Sequence, residues 1–216
     1  MIPVLIIPVL NRYDLLDVAL NSIDHLIGDV LIINNGKEVY EPKIDGLSIT
    51  VLDIPSNLGI SGSWNLGIKC YPHVPYWLIS SADTSFRPGA LQQFDEYSSP
   101  GRCVKSNAQY SAFSIGEEIV KNVGLFDEYI YPAYFEDNDY DDRMVRAGFL
   151  ENILCPGIQV DDNGGSQTIK SDPKFKERND YTFRKNEEYY LNKKNTGDYF
   201  VKGWDLSRRR ENEWLR

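Results

Sequence analysis

The sequence predicts an α/β protein in which helices flank an open, mostly parallel β-sheet. Short apolar runs without polar alternation recur along the first eighty or so positions, as strands buried on both faces require. Stretches with helical spacing separate them. The resulting order of strand, helix, strand, strand, helix, strand is the rhythm of such a sheet.

Pro3 to Pro8 is the first strand, apolar and rich in β-branched residues. Asn11, Arg12 and Tyr13 break it. Leu15, Leu16, Ala19, Leu20, Ile23, Leu26 and Ile27 follow at helical spacing, with Asp14 placed to cap the helix start. Asp29 to Ile33 reads as the second strand, ended by Asn34, Asn35 and Gly36, and Ile49 to Ile54 as the third. Ser61 to Lys69 is a helix and Tyr76 to Ser80 the fourth strand. A further strand is expected over Ile153 to Val160. Past Lys170 aliphatic residues thin out while Lys, Arg, Asn and Tyr crowd together. One helix around Tyr181 to Lys193 and an irregular end are expected there. The division is therefore residues 1–170 as the main domain and 171–216 as a C-terminal extension, helical then irregular, packed on or near one side of the site.

The chain of 216 residues is long enough for one domain with a sizeable core. Its net charge of −9 argues against a protein built to grip nucleic acid or an anionic membrane. Cys70, Cys103 and Cys155 are odd in number and far apart, which predicts reduced thiols and a cytoplasmic setting. Met1 to Leu10 lacks a basic leader and a cleavage site, and no apolar run is long enough to cross a bilayer.

Ligands of open α/β sheets bind beyond the carboxyl ends of the strands. Four stretches there carry chemistry. Asn57 to Gly67 holds Gly59, Gly62 and Asn65 at a loop-to-helix junction. Small residues let a ligand approach the backbone, and free amides at a helix start favour a diphosphate. Asp83 follows the fourth strand, after Ser81 and Ala82, where a carboxylate can hold a divalent cation. Tyr134 to Arg143 packs five carboxylates into ten residues. Adjacent Glu136 and Asp137 at a helix start suit a general base beside an orienting or acceptor-binding carboxylate, whereas Asp139, Asp141 and Asp142 are explained as a solvated acidic helix start. Asp161 and Asp162 form a second acidic turn, which could add a metal ligand.

Taken in order, these stretches resemble the family-2 glycosyltransferases of the GT-A, Rossmann-like fold. Ile7 to Arg12 resembles the family's opening strand and Asn-Arg turn. Ile32 to Gly36 resembles its second-strand turn, Asn57 to Gly67 its glycine-rich segment, and Leu78 to Leu91 its metal-site strand and following helix. Gly124 to Glu128 and Phe135 to Asp139 resemble its acceptor loop and Glu-Asp helix. A weaker echo falls at Arg184, Lys185 and Asn186. The likeness covers about residues 3 to 167.

The resemblance implies an inverting transfer of sugar from a nucleoside-diphosphate sugar to an acceptor hydroxyl, aided by Mn²⁺ or Mg²⁺. It implies Asp137 as the base, or else Glu136. It places the donor on Pro8, Asn11, Arg12, Asn34, Asn35, Asn57, Gly59, Gly62, Asn65, Ser81, Ala82 and Asp83, with the metal on Asp83 and Asp162. The acceptor is left open between a glycan, a lipid-linked sugar and a modified nucleobase. Three departures stand out. The family's Asp-x-Asp is here Ser81, Ala82, Asp83; the base-contacting Asp is Asn34; and a His after the last core strand is replaced by Asp162. They leave a second reading, a nucleotide-sugar or glycan-binding module with a degenerate metal site. A third, a nucleic-acid acceptor, draws on Arg208, Arg209, Arg210 and the aromatic, Lys-rich tail.

Overall fold

The computed structural model describes residues 1–163, 166–170 and 172–201. In chain order it contains β1 (Ile2–Val9), α1 (Tyr13–Asn21), β2 (Ile27–Asn34), β3 (Ile49–Asp53), α2 (Gly59–Cys70), β4 (Tyr76–Ser80), β5 (Thr84–Phe86) and α3 (Ala90–Tyr97). Then come β6 (Cys103–Ser106), β7 (Gln109–Gly116), α4 (Glu117–Val123), α5 (Glu136–Arg146), a 3-10 turn at Leu150–Asn152, β8 (Ile153–Ile158), β9 (Val160–Asp162), α6 (Gln167–Lys170) and α7 (Pro173–Thr196).

Seven strands form one sheet in the order β3-β2-β1-β4-β7-β6-β8. The first four are parallel to one another, and β7 runs antiparallel to both β4 and β6. Along β1, Leu5 and Ile7 join the core on one face while Val4 and Ile6 join the core on the other. A strand covered on both sides has no polar face to show, so its sequence does not alternate. Leu16 and Leu20 of α1 with Leu91 and Phe94 of α3 cover one face; Trp64 and Ile68 of α2 with Tyr140 and Met144 of α5 cover the other.

Three element boundaries differ from expectation. The helical stripe extended to Ile27, but α1 ends at Asn21, where Ser22 returns its amide and hydroxyl to the Ala19 carbonyl. Ile27 instead starts β2, paired with Ile2. The single strand expected over Ile153 to Val160 is split: β8 stays in the main sheet, whereas β9 leaves it to pair with β5. The tail helix is much longer than its expected core of Tyr181 to Lys193. Asp172 caps it through the Lys174 amide with Pro173 in its first turn, and Gly197 ends it in the left-handed conformation at φ 72°. Arg208, Arg209 and Arg210 lie outside the described residues.

All three cysteines are free thiols, Cys103 buried and Cys70 and Cys155 exposed. Among the described residues no helix is long and apolar enough to cross a membrane.

Candidate functional site

A cavity of about 370 Å³ lies beyond the carboxyl ends of β1 and β4. Pro8, Val9, Leu10 and Arg12 line it from the end of β1, and Ser81, Ala82 and Asp83 from the end of β4. Asn35, Asn57, Gly59, Ile60, Ser63 and Trp64 form another part, around the start of α2. Glu136 and Asp137 reach it from α5, and Asp162 from β9. Eleven of the residues picked out from the sequence thus meet in one space: Pro8, Arg12, Asn35, Asn57, Gly59, Ser81, Ala82, Asp83, Glu136, Asp137 and Asp162.

Arg12 is held by Asp14 through two hydrogen bonds, Nε to Oδ1 at 2.8 Å and Nη2 to Oδ2 at 2.7 Å. That contact, with Asp83 adding to it, raises the guanidinium pKa further, so the cavity keeps a fixed positive charge on this side.

Four residues expected on the donor do not line the cavity. Asn34 is buried, and its amide is used inside the protein. Its Oδ1 accepts from Tyr13 Oη at 2.9 Å and the Gly36 amide at 3.0 Å, and its Nδ2 donates to Glu38 O and Asp53 Oδ1 at 2.7 Å each. Asn11 accepts from the Lys37 amide at 3.2 Å. Asn65, also buried, brackets Phe126, donating to its carbonyl and accepting from its amide at 2.9 Å, and donates to Glu128 as well. Gly62 faces its own helix, where an added Cβ would lie 3.1 Å from Leu58 Cβ.

The start of α2 also differs from the expected row of free amides. Leu58 N donates to Asn35 Oδ1 at 2.9 Å, Gly59 N to Asn57 Oδ1 at 2.9 Å, and Ile60 N to Pro132 O at 2.7 Å. Gly59 has φ 71°, and a Cβ there would sit 2.8 Å from Pro132 O and from the Tyr131 ring. Glycine is required because the 124–135 loop seats directly on this turn.

Asp83 and Asp162 approach through the β5–β9 ribbon, in which Thr84 pairs with Asp162 and Asn163 N donates to Asp83 O at 2.9 Å. Both line the cavity. Among the described residues no group of three or more His, Cys, Asp or Glu side chains is arranged to hold a metal ion. Two carboxylates fit a hard cation that completes its shell with phosphate oxygens and water.

Glu136 and Asp137 open α5 after two residues in left-handed backbone, Tyr134 at φ 74° and Phe135 at φ 76°. Asp137 is half-buried, and burial raises its carboxyl pKa against the pull of the Asn138 amide. Glu136 is only 7% exposed. Burial first, and the Asp137 charge second, push it up to about 8. Its Oε2 has no hydrogen-bond partner.

The other acids of this helix are not a solvated patch. Asp139 is fully buried and paired with Arg143 and Lys193. Asp141 receives the buried Lys105 ammonium on both oxygens, at 2.8 and 2.7 Å, and the Tyr110 hydroxyl at 2.7 Å. Asp142 accepts from Tyr190 and Tyr199, each at 2.8 Å. Helix α5 is thus tied to β6 and α7 by its own carboxylates.

Sequence reasoning missed several lining residues. Gln109, Tyr110 and Ser111 come from the start of β7, and Ile169, Phe175 and Asn179 from α6 and α7. The one signal available for α7 was the spacing of Phe175, Asn179, Thr182, Asn186, Tyr190 and Lys193 at three- and four-residue steps. Most of that stripe is polar, so a search for apolar periodicity passes over it.

No family model matches the chain. The structure is similar to a mannosyltransferase from Pyrobaculum calidifontis in complex with GDP-Man and Mn²⁺ (TM-score 0.54, 13% identity, 71% of this chain and 54% of that one). It is also similar to S. aureus TarS 1-349 in complex with UDP-GlcNAc (TM-score 0.53, 13% identity, 77% of this chain and 61% of that one). The catalytic domain of Drosophila beta1,4galactosyltransferase 7 matches at TM-score 0.50 and 14% identity, over 71% of this chain and 63% of that one. A Leishmania donovani protein described as a galactofuranosyl glycosyltransferase is 40% identical over 47 residues, 22% of this chain and 11% of that protein. The chain has the GT-A fold of these glycosyltransferases, and it spans about half the length of the mannosyltransferase.

Proposed function

We propose that the protein is an inverting, family-2-type glycosyltransferase that uses a nucleoside-diphosphate sugar. The observation that carries this reading is the convergence of Asp83, Asp162, Glu136 and Asp137 on one cavity beyond the strand ends. The GDP-Man and UDP-GlcNAc complexes of similar folds support a nucleotide-sugar donor.

In this reading residues 1–170 are the transferase domain and 171–216 an extension on the acceptor side. Arg12 and the backbone of Pro8 to Leu10 face the donor, with Asn35 and Asn57 shaping the turn beside it. Asp83 and Asp162 would hold a divalent cation, Mn²⁺ or Mg²⁺, whose chemistry is to neutralise a departing diphosphate. Asp137 takes the proton of the acceptor hydroxyl. The acceptor oxygen bonds to the anomeric carbon as the bond from that carbon to the phosphate oxygen breaks, and the electron pair leaves with the diphosphate. A raised carboxyl pKa favours Asp137 for this task, because a base nearer the working pH holds the transferred proton better.

Asp137→Asn should keep nucleotide binding and lower transfer by roughly 10²–10⁴-fold. Transfer near the wild-type rate would overturn the mechanism. Asp83→Asn should weaken nucleotide binding most when Mn²⁺ is present, and wild-type activity unchanged by EDTA would remove the cation from the reading.

One alternative has its own support. The first amides of α2 are committed inside the protein, which leaves a diphosphate fewer backbone donors than the sequence promised. A module that binds a nucleotide sugar without turnover would show nucleotide binding, with neither transfer nor donor hydrolysis in Mn²⁺.

A further inference from the structure

Left-handed backbone in residues other than glycine is gathered around the cavity. Among the described residues it occurs at Asn11, Gln109, Tyr134, Phe135 and Ser166. Gln109, Tyr134 and Ser166 line the cavity, Asn11 stands between the lining residues Leu10 and Arg12, and Phe135 between Tyr134 and Glu136. Such backbone is unfavourable for these residues and gathers at ligand sites. Gln109, at φ 53°, is the case that the rest of the fold does not explain. It closes the tight hairpin from β6 to β7, paired with Ser106 across Asn107 and Ala108. Asn107 pins that hairpin to β9, donating to Val160 O at 3.2 Å and accepting from Val160 N at 2.8 Å. Glycine or asparagine would suit a left-handed hairpin residue better. The glutamine is exposed, and its amide has no hydrogen-bond partner, so neither packing nor a bond inside the protein accounts for it.

The position of this hairpin relative to the reacting groups is fixed by two hydrogen bonds. Ser111 O accepts from the Ser81 amide at 2.8 Å, which seats the segment against the turn that carries Asp83. Tyr110 Oη donates to Asp141 Oδ1 at 2.7 Å, one helical turn beyond Asp137 on α5. Residues 108–111 all line the cavity and run from the turn of Asp83 to the helix of Asp137. A sugar bonded to a diphosphate held at Asp83, and attacked by an oxygen that gives its proton to Asp137, has its anomeric carbon between those two carboxylates. Its ring therefore belongs beside this segment. An amide that both donates and accepts matches a ring hydroxyl, which does the same.

We propose that Gln109 is a specificity-determining residue that reads a hydroxyl of the transferred sugar, kept at a strained backbone position for that task. This rests on the glycosyltransferase reading and names the part of its donor that Gln109 recognises. The nucleotide itself is bound elsewhere in the cavity, so the residue contributes to the sugar and not to the diphosphate or base.

The test uses the full chain with Mn²⁺ and six probes: UDP, GDP, UDP-glucose, UDP-galactose, UDP-GlcNAc and GDP-mannose. Calorimetry gives the affinities and thermal unfolding the stability. Wild-type protein should bind at least one nucleotide sugar. Gln109→Ala and Gln109→Gly should weaken that nucleotide sugar by roughly threefold to tenfold, the share of one hydrogen bond, and change the bare nucleotide less than twofold. Gln109→Gly should unfold about 2–4 °C above Gln109→Ala, because glycine relieves the left-handed backbone and alanine does not. Should Gln109→Ala fail to fold, Gln109→Gly carries the binding comparison. Equal nucleotide-sugar affinity in wild type and variants overturns the inference and leaves the transferase reading standing. So does binding of UDP or GDP without binding of any nucleotide sugar. A parallel loss of bare-nucleotide affinity overturns it as well, since the residue would then serve the nucleotide or the fold. Gln109→Gly less stable than Gln109→Ala removes the strain and the inference with it. Binding of none of the six probes by wild-type protein overturns the donor reading and this inference together.

Discussion

Lys193→Met should destabilise the protein by about 3 kcal/mol, toward the lower end of the range for breaking a buried ion pair. Lys193 is 3% exposed, and both of its partners, Asp127 and Asp139, are fully buried. Its Nζ donates to Asp127 Oδ2 at 2.7 Å and lies 2.5 Å from Asp139 Oδ1, off the hydrogen-bonding direction. Methionine keeps most of the aliphatic stem, so little packing is lost and the change falls on charge. Asp139 retains Arg143, whose Nε donates to Oδ2 at 2.9 Å. Asp127 retains neutral donors, the Tyr129 amide and the Tyr189 hydroxyl, each at 3.0 Å. The main penalty is therefore the Asp127 charge, left in a dry site with less compensation. At 2–4 °C per kcal/mol for a protein of this size, the midpoint should fall by roughly 6–12 °C. Thermal and urea unfolding of Lys193→Met, Asp127→Asn and the double variant measure both the loss and the coupling. The double variant should lose clearly less than the sum of the singles. A loss below about 1 kcal/mol in Lys193→Met, or simple additivity, would refute the claim that this ion pair fastens α7 to the rest of the protein.

Glu136 gives stability a pH dependence of definite sign. Its folded value of about 8 lies above the ordinary 4.5, so between those values the folded state holds a proton that the unfolded state has lost. Stability should fall as pH rises through that window, by at most about 1.4 kcal/mol per pH unit, relative to Glu136→Gln measured in parallel; parallel curves would show that Glu136 is ionised throughout. The two glycines at the start of α2 should differ in their tolerance of a side chain. Gly59→Ala forces a Cβ against Pro132 at positive φ and should destabilise by about 1–3 kcal/mol. Gly62→Ala meets only Leu58 Cβ, at 3.1 Å, and should destabilise clearly less than Gly59→Ala, with nucleotide affinity unchanged. Chemical denaturation and calorimetry check both.

The fold was legible because strands buried on both faces announce themselves without reference to anything else in the chain. Ile2–Val9 and Tyr76–Ser80 are of this kind. The acids of α5 could not be sorted that way. Asp141 is tied to Lys105, 36 positions earlier in the chain, while Asp127 of the preceding loop shares Lys193, 66 positions later, with Asp139. Nothing local distinguishes Asp137, which faces the cavity, from Asp139, which is buried behind it. The asparagines mislead for a related reason. Asn35 and Asn57 line the cavity, but Asn34 and Asn65 carry the same amide and spend it on backbone groups and neighbouring carboxylates. Which amide faces the cavity is decided by the turn geometry, not by the residue type. Gly59 and Gly62 are equally alike in sequence, and only the left-handed turn at Gly59 separates them.

The tail helix is where sequence and site were hardest to connect, and backbone conformation shows why they belong together. Tyr134 and Phe135 are bulky side chains in left-handed backbone, directly before Glu136. Each such residue is unfavourable by about 1–2 kcal/mol, so this turn would relax unless its surroundings held it. Helix α7 supplies the restraint. Asn186, fully buried, donates to Tyr131 O at 3.1 Å and Ala133 O at 2.9 Å. Phe183 packs against both Tyr134 and Phe135, at 5.4 and 4.9 Å between ring centroids, and Tyr190 stacks on Phe135. The same helix places Asn179 in the cavity, seven positions before Asn186 on the same stripe. Holding the turn that aims Glu136 and lining the space that Glu136 faces are therefore two consequences of one helix face. A chain shortened before Pro173 would lose a wall of the cavity and the support of its Glu-Asp turn together, even with every strand of the sheet intact.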